Sequence, residues 1–196
     1  MIAVGVTGGI GSGKTLLCET WQKMGAEWMN ADIEARTLME TDQELVGQII
    51  ERFGEKAYDE KGKLNRKYLS REAFENNRIE ELNKLVHPAV HRETLRRIEK
   101  AKQKGTEVFI KEAALLLKYG RPENLDIIVV VTAPEHLRIK RVAERDGLTT
   151  EEVKARITRQ QLQSELAEYA DYLIENDSDQ ATFIEQANKL YQKLIQ

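Results

Sequence analysis

The chain has 196 residues, 41% of them hydrophobic, with a formal net charge of −3 and one cysteine. That is long enough for one well-buried core with an inserted lobe. The balance excludes an overall positive field drawing the chain onto nucleic acid or an anionic membrane, and Cys18 alone excludes an intrachain disulfide.

Ile2–Thr7 is a short apolar run that reads as a buried strand. It leads into Gly8-Gly9-Ile10-Gly11-Ser12-Gly13-Lys14-Thr15, which fits GxxxxGK[ST], and Leu17, Trp21 and Met24 follow at helical spacing. Those four fixed positions coincide by chance in only about one chain of this length in a hundred. Glycines free backbone N–H groups to turn around phosphate oxygens, and the following helix adds its positive dipole end. The expected ATP-binding set is Gly9, Gly11, Ser12, Gly13, Lys14, Thr15 and Leu16. Lys14 should reach the β- and γ-phosphates, and the Thr15 hydroxyl should be a ligand of Mg²⁺. Cys18, on that helix, reads as a small core residue.

Gly25 is a helix stop, and residues 26–30 form a second strand that ends just before Asp32. From 34 to 104 the pattern is helical almost throughout, with Leu45, Ile49 and Phe53 on one face and Ile79, Leu82 and Val86 on another, and 58–65 a polar turn around Gly62. Pro88 is expected in the first turn of a new helix, with His87 before it held away from helical geometry. Alternation resumes with strands at 106–110 and 125–131 and a helix opened by Pro134. Asp146-Gly147 breaks that helix, and Thr149 with Glu152 forms a capping box for a polar helix carrying Arg156, Arg159 and Gln160. Tyr172–Glu175 is the last strand, and Phe183, Ala187, Leu190 and Leu194 mark the closing helix. No basic region precedes the first apolar residues and no run approaches the ~18 apolar residues of a membrane span, so a soluble, cytoplasmic chain is expected.

Asp32 has two readings: it accepts the proton of an attacking hydroxyl or helps hold hydrated Mg²⁺, or it caps a helix starting near Ile33 or pairs with Arg36. A strand end is where ligands bind in open parallel sheets, which favours the first. Arg138, Arg141 and Arg145 share one helix face, either solvated or clamping phosphate, with Arg141 and Arg145 the better placed. Glu112 is either an acid orienting Mg²⁺ or an exposed strand-end residue. His87 and Pro88 read mostly as a helix junction, with no cysteine near His87 to complete a metal-ligand set. Asp59-Glu60-Lys61-Gly62 mimics the DxxG of GTPases, but no apolar strand precedes it and Asn83-Lys84-Leu85-Val86 lacks the aspartate of NKxD.

Together with the loop, Ala31-Asp32-Ile33-Glu34-Ala35-Arg36, Leu85-Val86-His87-Pro88, Ala114-Leu115-Leu116-Leu117, Arg145-Asp146-Gly147-Leu148-Thr149 and Ala170-Asp171-Tyr172-Leu173-Ile174-Glu175-Asn176 make the chain resemble the dephospho-CoA kinases over essentially its whole length. The resemblance implies an α/β fold of the P-loop nucleoside-triphosphate-hydrolase kind, a three-layer parallel sheet with an inserted helical substrate lobe and a helical lid. The core would be 1–33 with 106–196, the lid about 140–168, and the CoA-binding lobe 34–105. It implies transfer of the ATP γ-phosphoryl to the ribose 3′-hydroxyl of dephospho-CoA with Mg²⁺, and neither nucleic acid nor membrane as partner; oligomeric state stays open. Asp32 is then the candidate base and Lys14 its catalytic companion, Arg36 and His87 frame the acceptor, and Arg141 and Arg145 belong to the nucleotide and lid region. The chain departs from the family in three places. Asn30 replaces the first aspartate of a DAD run, and in a PLLFE-like segment Ala114 replaces the proline and Lys118 the acid. The rival readings are a kinase of nucleoside monophosphates or sugar-like metabolites, and a nucleotide-binding module without turnover.

Overall fold

A computed structural model describes residues 1–118, 120–158, 160 and 163–196. The chain divides into two compact units, Met1–Asn30 with Ile98–Gln196, and Ala31–Arg97.

Among the described residues of the first unit, β1 (Ile2–Thr7), β2 (Glu27–Asn30), β3 (Val108–Glu112), β4 (Ile127–Thr132) and β5 (Tyr172–Glu175) form one parallel sheet in the order β2-β3-β1-β4-β5. A central strand with neighbours on both sides is apolar on both faces, and every residue of β1 after Ile2 is buried. The register aligns Val6 and Asn30 on either side of Glu112, so three carboxyl ends meet in one row. Side chains alternate along a strand. Val4, Val6, Val108, Ile110, Val129 and Val131 therefore join one core with Leu17 and Trp21 of α1 (Lys14–Lys23) and Phe183, Ala187 and Tyr191 of α9 (Gln180–Leu194).

β3 and β4 each start two residues later than the sequence pattern suggests. The Thr106 N–H closes the preceding helix by donating to Ala101, and Leu125 N–H ends a turn by donating to Pro122. β-branched or apolar character alone does not separate such turn residues from the strand that follows.

The remaining helices of this unit are α6 (Glu135–Asp146), α7 (Thr150–Ile157) and α8 (Gln163–Ala167). Gly147, at φ +66°, takes the left-handed position that ends α6, and Thr149 and Glu152 exchange both bonds of the expected capping box. Gln160 lies beyond the end of α7 rather than on it, and Arg159 lies outside the described residues.

The second unit holds α2 (Ala31–Thr41), α3 (Gln43–Phe53) and α4 (Arg66–Ser70), plus most of α5 (Ile79–Gln103). Asp42 caps α3 by accepting from the N–H groups of Glu44 and Leu45, and Leu45, Ile49 and Phe53 are buried. The polar turn is organised by the Asp59 carboxylate, which accepts from Lys61 and Lys63 N–H groups.

Pro88 does not begin a helix: it sits inside α5, and His87 is helical. A proline there forfeits the bond to Lys84 carbonyl at a typical cost of about 3 kcal/mol. Two features let the helix continue. Lys84, His87 and Pro88 are exposed, so water can serve the carbonyl, while Val86, Val90, Thr94 and Ile98 make a buried stripe spanning both sides of the proline. Among the described residues no helix is long and apolar enough to cross a membrane.

Candidate active site

The loop after β1 is held in a form that needs glycine, most sharply at positions 8 and 13. Gly8, at φ +148°, passes so close to β4 that a Cβ would lie 2.1 Å from the Val131 carbonyl oxygen, and Gly13, at φ +107°, would place one 2.2 Å from Asn176 Nδ2. Gly13 is followed at once by α1, so the helix N-terminus opens at Lys14. Gly11, Gly13, Lys14 and Thr15 line a cavity of about 260 Å³ whose other wall includes Arg141 and Arg145; Ile10 and Leu16 also border it. A larger groove, about 580 Å³, lies at the opposite end of α1 by Met24, but its wall includes Glu185 and Lys189, exposed side chains that pair with each other. The chemistry belongs to the smaller cavity, where N–H groups and cations converge.

Lys14 Nζ donates to the carbonyl oxygens of Gly8 (2.8 Å) and Gly9 (3.0 Å), folded back along the loop. Thr15 Oγ1 donates to Glu112 Oε1 at 2.9 Å, and Asn30 Nδ2 donates to Glu112 Oε2 at 3.0 Å. Glu112 is thus no exposed strand-end residue; it is 3% exposed, and both its oxygens are occupied. A carboxylate inside a sheet stays only where donors compensate it, and the row of strand ends supplies them.

These groups suit Mg²⁺. A threonine hydroxyl that gives its hydrogen to a buried carboxylate keeps its lone pairs for a cation, and oxygen ligands are what this ion takes. Among the described residues no cluster of three or more acidic, histidine or cysteine side chains could hold a metal.

Helical spacing groups Arg138, Arg141 and Arg145, but the structure gives them different work. Arg138 is 5% exposed, donates from Nε to the Ile10 carbonyl at 2.9 Å, and lies against Gly9, where a Cβ would stand 2.4 Å from its guanidinium. It braces the loop from behind instead of facing solvent or a ligand, and burial lowers its pKa. Arg141 is half-buried and bonded to Asn176, and Arg145 is exposed and paired with Asp146, which raises its pKa. Gln160 Oε1 accepts from Ile10 N–H at 2.8 Å, a contact no spacing rule reveals. Cys18 is buried and its thiol pKa is pushed up chiefly by that burial, so it is inert packing.

Asp32, Arg36 and His87 belong to the second unit. Asp32 and Arg36 are exposed on α2 one turn apart, and His87 is exposed in the middle of α5. Asp32 is the second residue of α2, not the cap of a helix starting at Ile33, because Ala31 already adopts helical geometry. An acid in a first turn is favoured by the dipole.

A glycine-lined loop after the central strand of a parallel sheet, with its lysine, threonine and buried acid, defines a phosphate-binding-loop nucleotide site of the kind small phosphotransferases use. The sequence pattern of the dephospho-CoA kinases matches residues 2–182. A dephospho-CoA kinase of Salinibacter ruber is 43% identical over 178 residues, covering 90% of this chain and 89% of its own. The crystal structure of a Thermus thermophilus protein superposes with a TM-score of 0.83 at 27% identity, covering 100% and 98% of the two chains. Dephospho-CoA kinase from Campylobacter jejuni gives 0.65 at 26% identity, covering 98% and 97%. The chain belongs to the dephospho-CoA kinase family.

Proposed function

We propose that this protein transfers the γ-phosphoryl group of ATP to the ribose 3′-hydroxyl of dephospho-CoA, giving coenzyme A and ADP in the cytoplasm. The observation that carries the reading is the Thr15–Glu112 bond at the mouth of the glycine-lined loop, which readies one oxygen for a cation beside a phosphate cradle. Family membership supplies the acceptor.

In this reading the loop N–H groups and Lys14 take the β- and γ-phosphates, Lys14 exchanging its two carbonyl partners for phosphate oxygen. Thr15 and Glu112 would hold Mg²⁺, which supplies charge neutralisation when bound. Asp32 accepts the proton of the 3′-hydroxyl as its oxygen bonds to phosphorus, and the leaving ADP carries the electrons of the broken P–O bond. Arg36 and His87 orient the acceptor, and Arg141 and Arg145 meet the nucleotide phosphates.

The test is ADP release with ATP and Mg²⁺ against dephospho-CoA, adenosine monophosphate, or no acceptor. Release should require dephospho-CoA, and Asp32→Asn should lower kcat by roughly 10²–10⁴ with ATP affinity nearly unchanged. Equal release with adenosine monophosphate overturns the acceptor assignment, and an Asp32→Asn enzyme with unaltered turnover removes Asp32 from the chemistry.

A further inference from the structure

Asn176 follows β5 directly and is 4% exposed. Its side chain is used at both ends. Nδ2 donates to the Ser12 carbonyl oxygen in the loop at 2.8 Å, and Oδ1 accepts from Arg141 Nη2 at 3.1 Å. Its backbone carbonyl accepts from Arg141 Nη1, also at 3.1 Å, so one residue receives both arms of the guanidinium. The approach to the loop is possible because position 13 is glycine.

The amide has a property that its nearest isostere lacks. An aspartate in this place would offer Arg141 an acceptor, but its charge would cancel the one that a phosphate needs, and it would turn lone pairs against the Ser12 carbonyl. Asparagine donates to the loop and accepts from the arginine while staying neutral. It aims a cation whose wall of the 260 Å³ cavity faces Gly13 and Lys14 without consuming that cation. Packing alone calls for the Ser12 contact and for nothing on Arg141. The paired bonds to both Nη atoms are what a device for orienting a planar fork requires.

We propose that Asn176 is a positioning residue for nucleotide binding: it docks Arg141 on the phosphate-binding loop so that its guanidinium presents an uncancelled charge to the polyphosphate. The proposal rests on the reading of Arg141 as a phosphate ligand, and the experiment separates the two. Calorimetric titration with ADP and Mg²⁺ is run on the full chain and on Arg141→Ala, Asn176→Ala, Asn176→Asp and the Arg141→Ala/Asn176→Ala double variant.

Loss of a hydrogen bond to a charged group is worth about a tenfold change, so Arg141→Ala and Asn176→Ala should each weaken ADP by about that factor. Because Asn176 acts through Arg141, the double variant should be within about twofold of Arg141→Ala, the non-additivity expected of residues in one network. Asn176→Asp should bind ADP at least as weakly as Asn176→Ala, and being isosteric it takes the place of the alanine in the cycle where that variant does not fold. Equal factors for Asn176→Ala with and without Arg141 would mean that it works through the loop alone, which overturns the proposal and leaves Arg141 as a ligand. Wild-type affinity in Asn176→Asp overturns it too. Unchanged ADP binding in Arg141→Ala removes Arg141 from the nucleotide site and takes both readings down together.

Discussion

Gly13→Ala isolates what the loop requires of its last glycine, because the chain carries its own control. Gly13 and Gly25 have nearly the same backbone, φ +107° and +105°, and differ in surroundings: a Cβ at 13 would stand 2.2 Å from Asn176 Nδ2, while at 25 nothing lies within 4 Å. Alanine in that left-handed region costs about 1–2 kcal/mol at either site. At 13 the methyl also drives Asn176 off Ser12, and the lost bond adds about 1 kcal/mol, with the displaced packing contributing a similar amount. For a chain of this size 1 kcal/mol shifts the melting midpoint by about 2–4 °C, so Gly25→Ala should fall by about 2–8 °C and Gly13→Ala by about 6–16 °C. Both midpoints are read by circular dichroism, and only Gly13→Ala should also lose protection by ADP. If the two alanines prove equally destabilising, the steric argument at the loop fails and only torsional strain remains.

Other expectations follow from local features. Pro88→Ala restores an N–H to an exposed stretch of α5 and should raise the melting midpoint, a net gain of about 2 kcal/mol after the looser unfolded chain is counted; a fall would mean that the helix does not run through position 88. Gly47 lies exposed inside α3 with nothing near its missing Cβ, so Gly47→Ala should stabilise by about 0.5–1 kcal/mol in the same melt. Glu93 is held down from 4.5 to about 2, first by its bond to Arg96 and then by Arg97, against a burial that pushes it up. A depressed carboxylate stabilises the fold above its ordinary pKa and stops doing so as pH falls through the depressed one. The destabilisation by Glu93→Gln should therefore be full at pH 6 and vanish between pH 4.5 and 2, and a difference independent of pH would refute the linkage.

The parts of the structure that could be read from sequence are those whose cause is local. Thr149 and Glu152 meet because they are three residues apart, Gly147 stops α6 because it tolerates positive φ, and the loop sits between a strand and a helix because its glycines demand that turn. What escaped depends on distant partners. Pro88 argues for a break, and only the burial of Val86, Val90, Thr94 and Ile98 overrides it. The i, i+3 and i, i+7 spacing of Arg138, Arg141 and Arg145 says that they share a face, but not that the first is buried beneath Gly9 while the last pairs with its neighbour. The burial of Glu112 needs the register that sets Asn30 opposite it. That bond also gives the departure at position 30 a physical meaning: an aspartate there would face another carboxylate, whereas asparagine donates to it.

Both tryptophans of the chain, Trp21 and Trp28, lie in the sheet-bearing unit, and the first is fully enclosed, with its ring 5.7 Å from that of Tyr191 and its Nε1 donating to Ala187. Indole emission therefore comes wholly from residues of the sheet-bearing unit, whereas far-ultraviolet ellipticity sums over helices of both units. Following one denaturation with the two signals gives each unit its own voice without a label. Coincident curves mean one cooperative transition, and a lag between them means that the two units unfold separately.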